Sequence, residues 1–158
     1  MNKKSRQPES ASIVSDLSVE YERSGTVLSV LAHKSQQEKI NLIRQGLPYE
    51  IIEEVGQQGG YPVKRILAYL GLAQTTYNKR KRERARLTVR ESEIIVTLSE
   101  LLQYGLSVFN DEQDKFHRWL NKENRSLGGL APSSLFDTIM GIREVKNALD
   151  RMEYGNMS

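Results

Sequence analysis

From Val27 to Met152 the apolar residues recur three and four positions apart, and glycine or proline interrupts them at short intervals. That spacing is the period of one helix face. No stretch alternates apolar with polar as a half-buried strand would. A chain of 158 residues written this way folds as a set of short helices joined by tight turns, and the expected class is all-α.

Along the chain, Val27, Leu28, Val30, Leu31, Ile40, Leu42 and Ile43 form the first helical pattern, with Gly46 as its C-cap and Pro48 at the first position of the next helix. Ile51, Ile52 and Val55 are the inward face of that second helix, which stops at residues 57–60. Pro62 opens a third helix with Ile66, Leu67 and Leu70 turned inward. Gly71-Leu72-Ala73 makes a tight turn, and a mostly polar fourth helix is expected from Gln74 to about Ala85. Helix, short glycine-containing turn, helix is the outline of a helix-turn-helix unit. Leu70-Gly71-Leu72 and Thr76-Tyr77 fit that outline, whereas Leu67 stands where alanine is more usual.

A charge run follows. Lys79, Arg80, Lys81, Arg82, Arg84, Arg86 and Arg90 fall within twelve residues. A solvated helix face is the plain alternative for such a run. Like charges repel along one helix, however, and phosphate would supply the missing anions with a strongly salt-dependent affinity. The net charge is only +3, so the information lies in where the cations sit. In a docked helix, Gln74, Thr75 and Asn78 are nearest base edges, Gln and Asn suiting adenine, and Thr76 is counted with them among the DNA-binding residues. Lys79, Arg80, Arg82 and Arg84 are expected on phosphates. Tyr77 is expected in the core.

Thr88 followed by Glu91 spells a capping box, so a new helix starts there, with Ile94, Ile95, Leu98, Leu101 and Leu102 as its stripe and Val108-Phe109 beyond Gly105. Asp111 is the expected N-cap of the next helix, which would bury Phe116, Trp119 and Leu120 and end at Asn121. Gly128-Gly129 calls for left-handed backbone, and Pro132 sits where a helix can begin. The last helix carries Ile142, Val145, Leu149 and Met152 on one side. His33 and His117 are isolated, with no second histidine or cysteine at metal spacing, and His117 is expected at the surface. The chain has no cysteine, which removes disulfides and thiolate sites together. Gly128-Gly129 lacks the partners of a phosphate loop. No paired carboxylates and no nucleophile–base set stand out, so neither a catalytic residue nor a cofactor is expected.

Residues 1–24 hold few apolar positions (Ile13, Val14, Leu17 and Val19) and are expected to form a mobile arm. No run reaches the eighteen or so apolar residues of a membrane span, and no secretory h-region follows the basic start. A soluble cytoplasmic protein is expected.

The ordered series Trp119-Leu120, Asn124, Gly128-Gly129, Pro132, Leu135-Phe136-Asp137-Thr138, Gly141, Val145, Leu149 and Tyr154-Gly155 resembles the C-terminal toxin-binding domain of Xre/MbcA/ParS antitoxins, partners of RES-domain toxins in bacterial type II toxin–antitoxin pairs. The resemblance spans roughly residues 36–158. It implies a non-enzymatic antitoxin of dimeric or larger assembly that represses its own operon and occludes an NAD-consuming or ADP-ribosylating toxin. By the same resemblance the toxin contact falls on Arg151, Glu153, Tyr154, Gly155 and Asn156, with operator DNA bound by the helix-turn-helix half. The expected organisation is an arm over 1–24, a DNA-binding domain over 25–87 and a toxin-binding domain over 88–158. A stand-alone DNA-binding regulator whose C-terminal half only dimerises is the other reading of the same residues.

Overall fold

The computed structural model describes residues 26–155; the arm assigned to residues 1–24 and Asn156 lie outside the described residues. The described residues are α-helical, with no strand and only two isolated bridges, Pro48 with Arg86 and Asn124 with Leu130. The helices are α1 (Val27–Ala32), α2 (Gln36–Gln45), α3 (Glu50–Gly59), α4 (Val63–Leu70), α5 (Gln74–Arg82), α6 (Val89–Val108), α7 (Gln113–Asn121) and α8 (Ile139–Gly155), with two 3-10 turns at Arg125–Leu127 and Pro132–Leu135. No described helix is long and apolar enough to cross a membrane.

The twenty-residue α6 is the mast of the fold. It starts at the expected box: Glu91 N–H donates to Thr88 Oγ1 (3.2 Å) and Thr88 N–H to Glu91 Oε2 (2.8 Å). Its stripe of Ile94, Ile95, Leu98, Leu101 and Leu102 is buried, and α2, α3, α4, α7 and α8 all pack on it. Gly105 does not break this helix. It makes room, because a Cβ there would stand 2.2 Å from Phe116 Cζ.

Several local expectations shift. The first helical pattern splits in two at Ser35, whose own capping box with Glu38 starts α2, and Ile40 is left 41% exposed. Glu54 on α3 accepts from Val27 N–H and Leu28 N–H, both at 2.9 Å, so α1 is capped from across the fold. Pro48 is not the first residue of α3. The segment is held to residues 86–87 first, by Leu87 N–H on Leu47 O at 2.8 Å, and the helix begins only at Glu50 behind Tyr49. The fourth expected helix stops at Arg82. Asp111 is not the cap of α7. It takes φ 62° beside Asn110 at 53°, and its N–H returns to Leu106 O (3.0 Å) to close α6; Glu112 holds the cap position.

In α7, Phe116 and Leu120 are buried, while Trp119 is half-buried in a cluster with Phe109 and Phe116. His117 is half-buried rather than exposed. Its ring lies 5.3 Å from that of Tyr61, and Nε2 is buried without a hydrogen-bond partner among the described residues. Gly128 and Gly129 do take positive φ, and Pro132 is the first residue of its 3-10 turn. In α8 the buried set is Ile142, Val145, Ala148 and Leu149, with Met152 only half-buried.

Candidate nucleic-acid and partner interfaces

The turn between α4 and α5 closes because Gly71 adopts φ 68° and ψ 28°. Its N–H reaches Ala68 O (3.2 Å) and Leu72 N–H reaches Leu67 O (2.9 Å), which is the hydrogen-bond pattern of a Schellman end. α5 then starts at Gln74 with no side chain on its first N–H groups.

What α5 turns inward is chemically specific. Tyr77 is buried as expected, and its hydroxyl donates to Glu53 Oε1 at 2.9 Å. Lys81 Nζ closes on the same carboxylate. Arg80 donates to Tyr49 OH (3.1 Å) and lies 3.6 Å from Glu91 Oε1. The Tyr49 and Tyr77 rings sit 6.0 Å apart beneath the helix. The Lys81 ammonium, then the Tyr77 hydroxyl, hold the Glu53 carboxyl below its usual range, and Glu53 raises Lys81 in turn. Burial, and after it the Glu53 hydrogen bond, push the Tyr77 phenol up.

Further along the charge run, Arg86 donates to Gly46 O (2.9 Å). Arg90 reaches Leu70 O at 3.2 Å and Asp137 O at 3.5 Å. Four of the seven cations are therefore tied to carbonyls, a phenol or carboxylates of the chain itself. The repulsion read from the sequence is relieved internally to that extent. Lys79, Arg82 and Arg84 remain exposed, with no side-chain hydrogen bond or ion pair among the described residues.

Those three share a surface with the other polar residues of α5. Gln74, Thr75 and Asn78 are exposed and Thr76 is half-buried. Gln74 Nε2 donates to Asn78 Oδ1 at 3.1 Å, which leaves Gln74 Oε1 and Asn78 Nδ2 for an outside partner. The structure thus gathers Gln74, Thr75, Asn78, Lys79 and Arg82 on the outer face of α5. Arg84 follows at its exit in a left-handed conformation, φ 51°. Arg80 stands apart from them, drawn toward Tyr49 and Glu91.

The second surface is the end of α8. Arg151, Glu153, Tyr154 and Gly155 are exposed there. They form the last turns of a continuous helix rather than a separate tail. Tyr104 of α6 anchors that end: its hydroxyl donates to Asp150 Oδ1 (2.7 Å), and Lys146 Nζ lies 2.9 Å from Oδ2. Tyr104 and then Lys146 hold the Asp150 carboxyl low, and the Asp150 hydrogen bond pushes the Tyr104 phenol up.

Neither surface stands on its own. Arg65 of α4 stacks on Tyr61 (4.7 Å) and donates from Nε to Tyr69 OH and from Nη2 to buried Ser133 Oγ, both at 2.9 Å. Ser133 donates on to Asn121 Oδ1 (3.2 Å), and Phe136 lies edge-on to Tyr61 and Tyr69. Sequence reading missed Arg65, Glu53 and Tyr49. The only trace of Arg65 was its four-residue spacing to Tyr69.

A cleft of about 270 Å³ opens between α1, α3, α6 and α7, and His117 is the one titratable group on its described lining. No group of three acidic, histidine or cysteine side chains able to hold a metal is present among the described residues.

Residues 38–99 match the family model of the antitoxin Xre-like helix-turn-helix domain, and residues 105–155 that of the antitoxin Xre/MbcA/ParS C-terminal toxin-binding domain. The chain is similar to the protein named antitoxin Xre of Photorhabdus laumondii subsp. laumondii, 27% identical over 117 residues, 74% of this chain and 79% of that one. It is similar also to antitoxin Xre of Yersinia enterocolitica serotype O:8, 25% identical over 119 residues, 75% of this chain and 80% of that one.

Proposed function

Because the chain belongs to the Xre-type antitoxin family, with a helix-turn-helix unit ahead of the antitoxin C-terminal domain, we propose that it neutralises a RES-domain toxin through the end of α8 and represses its own operon through α5. The inhibition is steric. The last turns of α8, with Tyr154 foremost and Asn156 beyond, enter the toxin's nucleotide cleft and exclude substrate. The DNA contact pairs a recognition face of Gln74, Thr75 and Asn78 with phosphate contacts from Lys79, Arg82 and Arg84. Two copies acting together would read two half-sites one helical turn apart.

The observation that carries the inhibitory part is the state of Tyr154. It is 65% exposed on a helix that Tyr104 and Asp150 hold in place, within the segment similar to a toxin-binding domain. A large aromatic side chain with few rotors is the kind of group that dominates interfaces, and burying it on a partner recovers apolar area left in water by the free fold.

Co-expression with a RES-domain protein encoded beside this gene tests the reading. Removing residues 151–158 should abolish protection while leaving retention of a promoter fragment in a gel-shift assay intact. Continued protection by the shortened chain would defeat it. If the full-length chain gives no protection yet retains the promoter fragment, the C-terminal half serves only to dimerise and the chain is a stand-alone DNA-binding regulator.

A further inference from the structure

We propose that the toxin is gripped along the whole outer face of α8, with Met140 as a second anchor at the opposite end of the helix from Tyr154. This rests on the reading that a toxin is the partner of α8. At 100° per residue, Met140, Arg143, Asn147, Arg151 and Tyr154 fall within an arc of about 80°, the side opposite the buried Ile142, Val145 and Leu149. Met140 is 77% exposed and Tyr154 65%. They are the two large apolar side chains that α8 leaves in water, and they stand at its two ends. Fourteen residues at about 1.5 Å each set them about 21 Å apart.

The strip between them is cationic. Arg143 and Arg151 make no hydrogen bond or ion pair among the described residues, whereas Glu144 is already engaged by Asn147 (3.3 Å) and Asp150 by Tyr104 and Lys146. The occupant is therefore a protein groove with an apolar recess at each end and carboxylates along the strip between. The face is continuous with the Tyr154 end and lies inside the segment similar to a toxin-binding domain. Met140 is also held firmly. Gly141 packs so close that a Cβ would lie 2.1 Å from Leu135 O, and Gly141 N–H donates to Thr138 Oγ1 at 3.0 Å.

The test measures affinity for the purified RES-domain protein encoded next to this gene, by calorimetry, for Met140→Glu, Arg143→Glu and Tyr154→Ala in the full chain. Met140→Glu should weaken binding about thirty-fold or more without moving the melting midpoint of the free chain, since the side chain touches little of its own fold. Arg143→Glu should slow association and flatten its salt dependence. If Tyr154→Ala weakens binding and Met140→Glu does not, the second anchor is wrong and the toxin reading stands. If neither variant matters, both fall. Should Met140→Glu instead break a homodimer in sedimentation velocity without the toxin, the face is a self-contact and the proposal is overturned.

Discussion

Arg84 occupies a left-handed backbone position, φ 51°, at the exit of α5, closing it through Ala85 N–H on Arg80 O at 2.9 Å. A residue with a Cβ is strained there, and glycine is the usual occupant. Arg84→Gly should raise stability by about 0.5–1 kcal/mol in urea unfolding. The same change should lower affinity for duplex DNA and reduce the slope of log K against log salt by about one, as loss of one phosphate contact does. A stabilised variant with an undiminished slope would show that Arg84 touches no phosphate. Glu53 governs a pH effect. Its carboxyl is depressed by Lys81 and Tyr77, so the stability it adds is present above the ordinary glutamate range and is lost as pH falls through the lowered folded value. Glu53→Gln should flatten the acid limb of the melting midpoint against pH, measured with wild type from neutral pH down past the ordinary glutamate range.

At the level of elements, starts and stops were largely readable where one residue decides them. Thr88 with Glu91 (a side-chain box within four residues), Gly46 (a positive φ) and Pro132 (a fixed φ) each carry a local preference that the sequence displays directly. What escaped depended on partners far along the chain. Glu54 caps α1 from twenty-six or more residues away, and Pro48 is displaced from its helix by pairing with residues 86–87. His117 is half-buried because Tyr61 lies over its ring. Of the candidate sites, the outer face of α5 was legible because i and i+4 spacing alone places Gln74 beside Asn78. The diversion of Arg80, Arg86 and Arg90 to internal partners was not, since composition cannot tell a cation with a carbonyl waiting for it from one without. Gly105 marks the limit of punctuation rules: in α6 it admits a ring rather than ending a helix. Gly105→Ala should therefore destabilise the protein by ~1–3 kcal/mol by overpacking against Phe116 and Leu149, in spite of alanine's better helix propensity. A neutral or stabilised variant in denaturant melts would mean that Phe116 gives way freely.

Across the whole molecule, α6 serves both halves at once, and the joint beside it is polar as well as apolar. Arg65 ties the first helix of the helix-turn-helix unit to Ser133, and Arg90 spans from Leu70 O to Asp137 O. Phe136 completes the joint against Tyr61 and Tyr69. Two halves sharing one helix and a half-buried side-chain bridge cannot lose structure separately without exposing that core, so they should unfold together. Trp119, the single tryptophan, reports on the C-terminal half, while far-UV circular dichroism reports on every helix. The two signals should share one midpoint in urea. Ser133→Ala, which takes away a partner of Arg65 Nη2 at a buried position, should lower that midpoint for both signals together by an amount equivalent to about 1–3 kcal/mol. Tryptophan fluorescence that melts apart from the dichroism, in wild type or in this variant, would show two independently folding halves, and a change at the outer face of α8 would then have no packed route to α5.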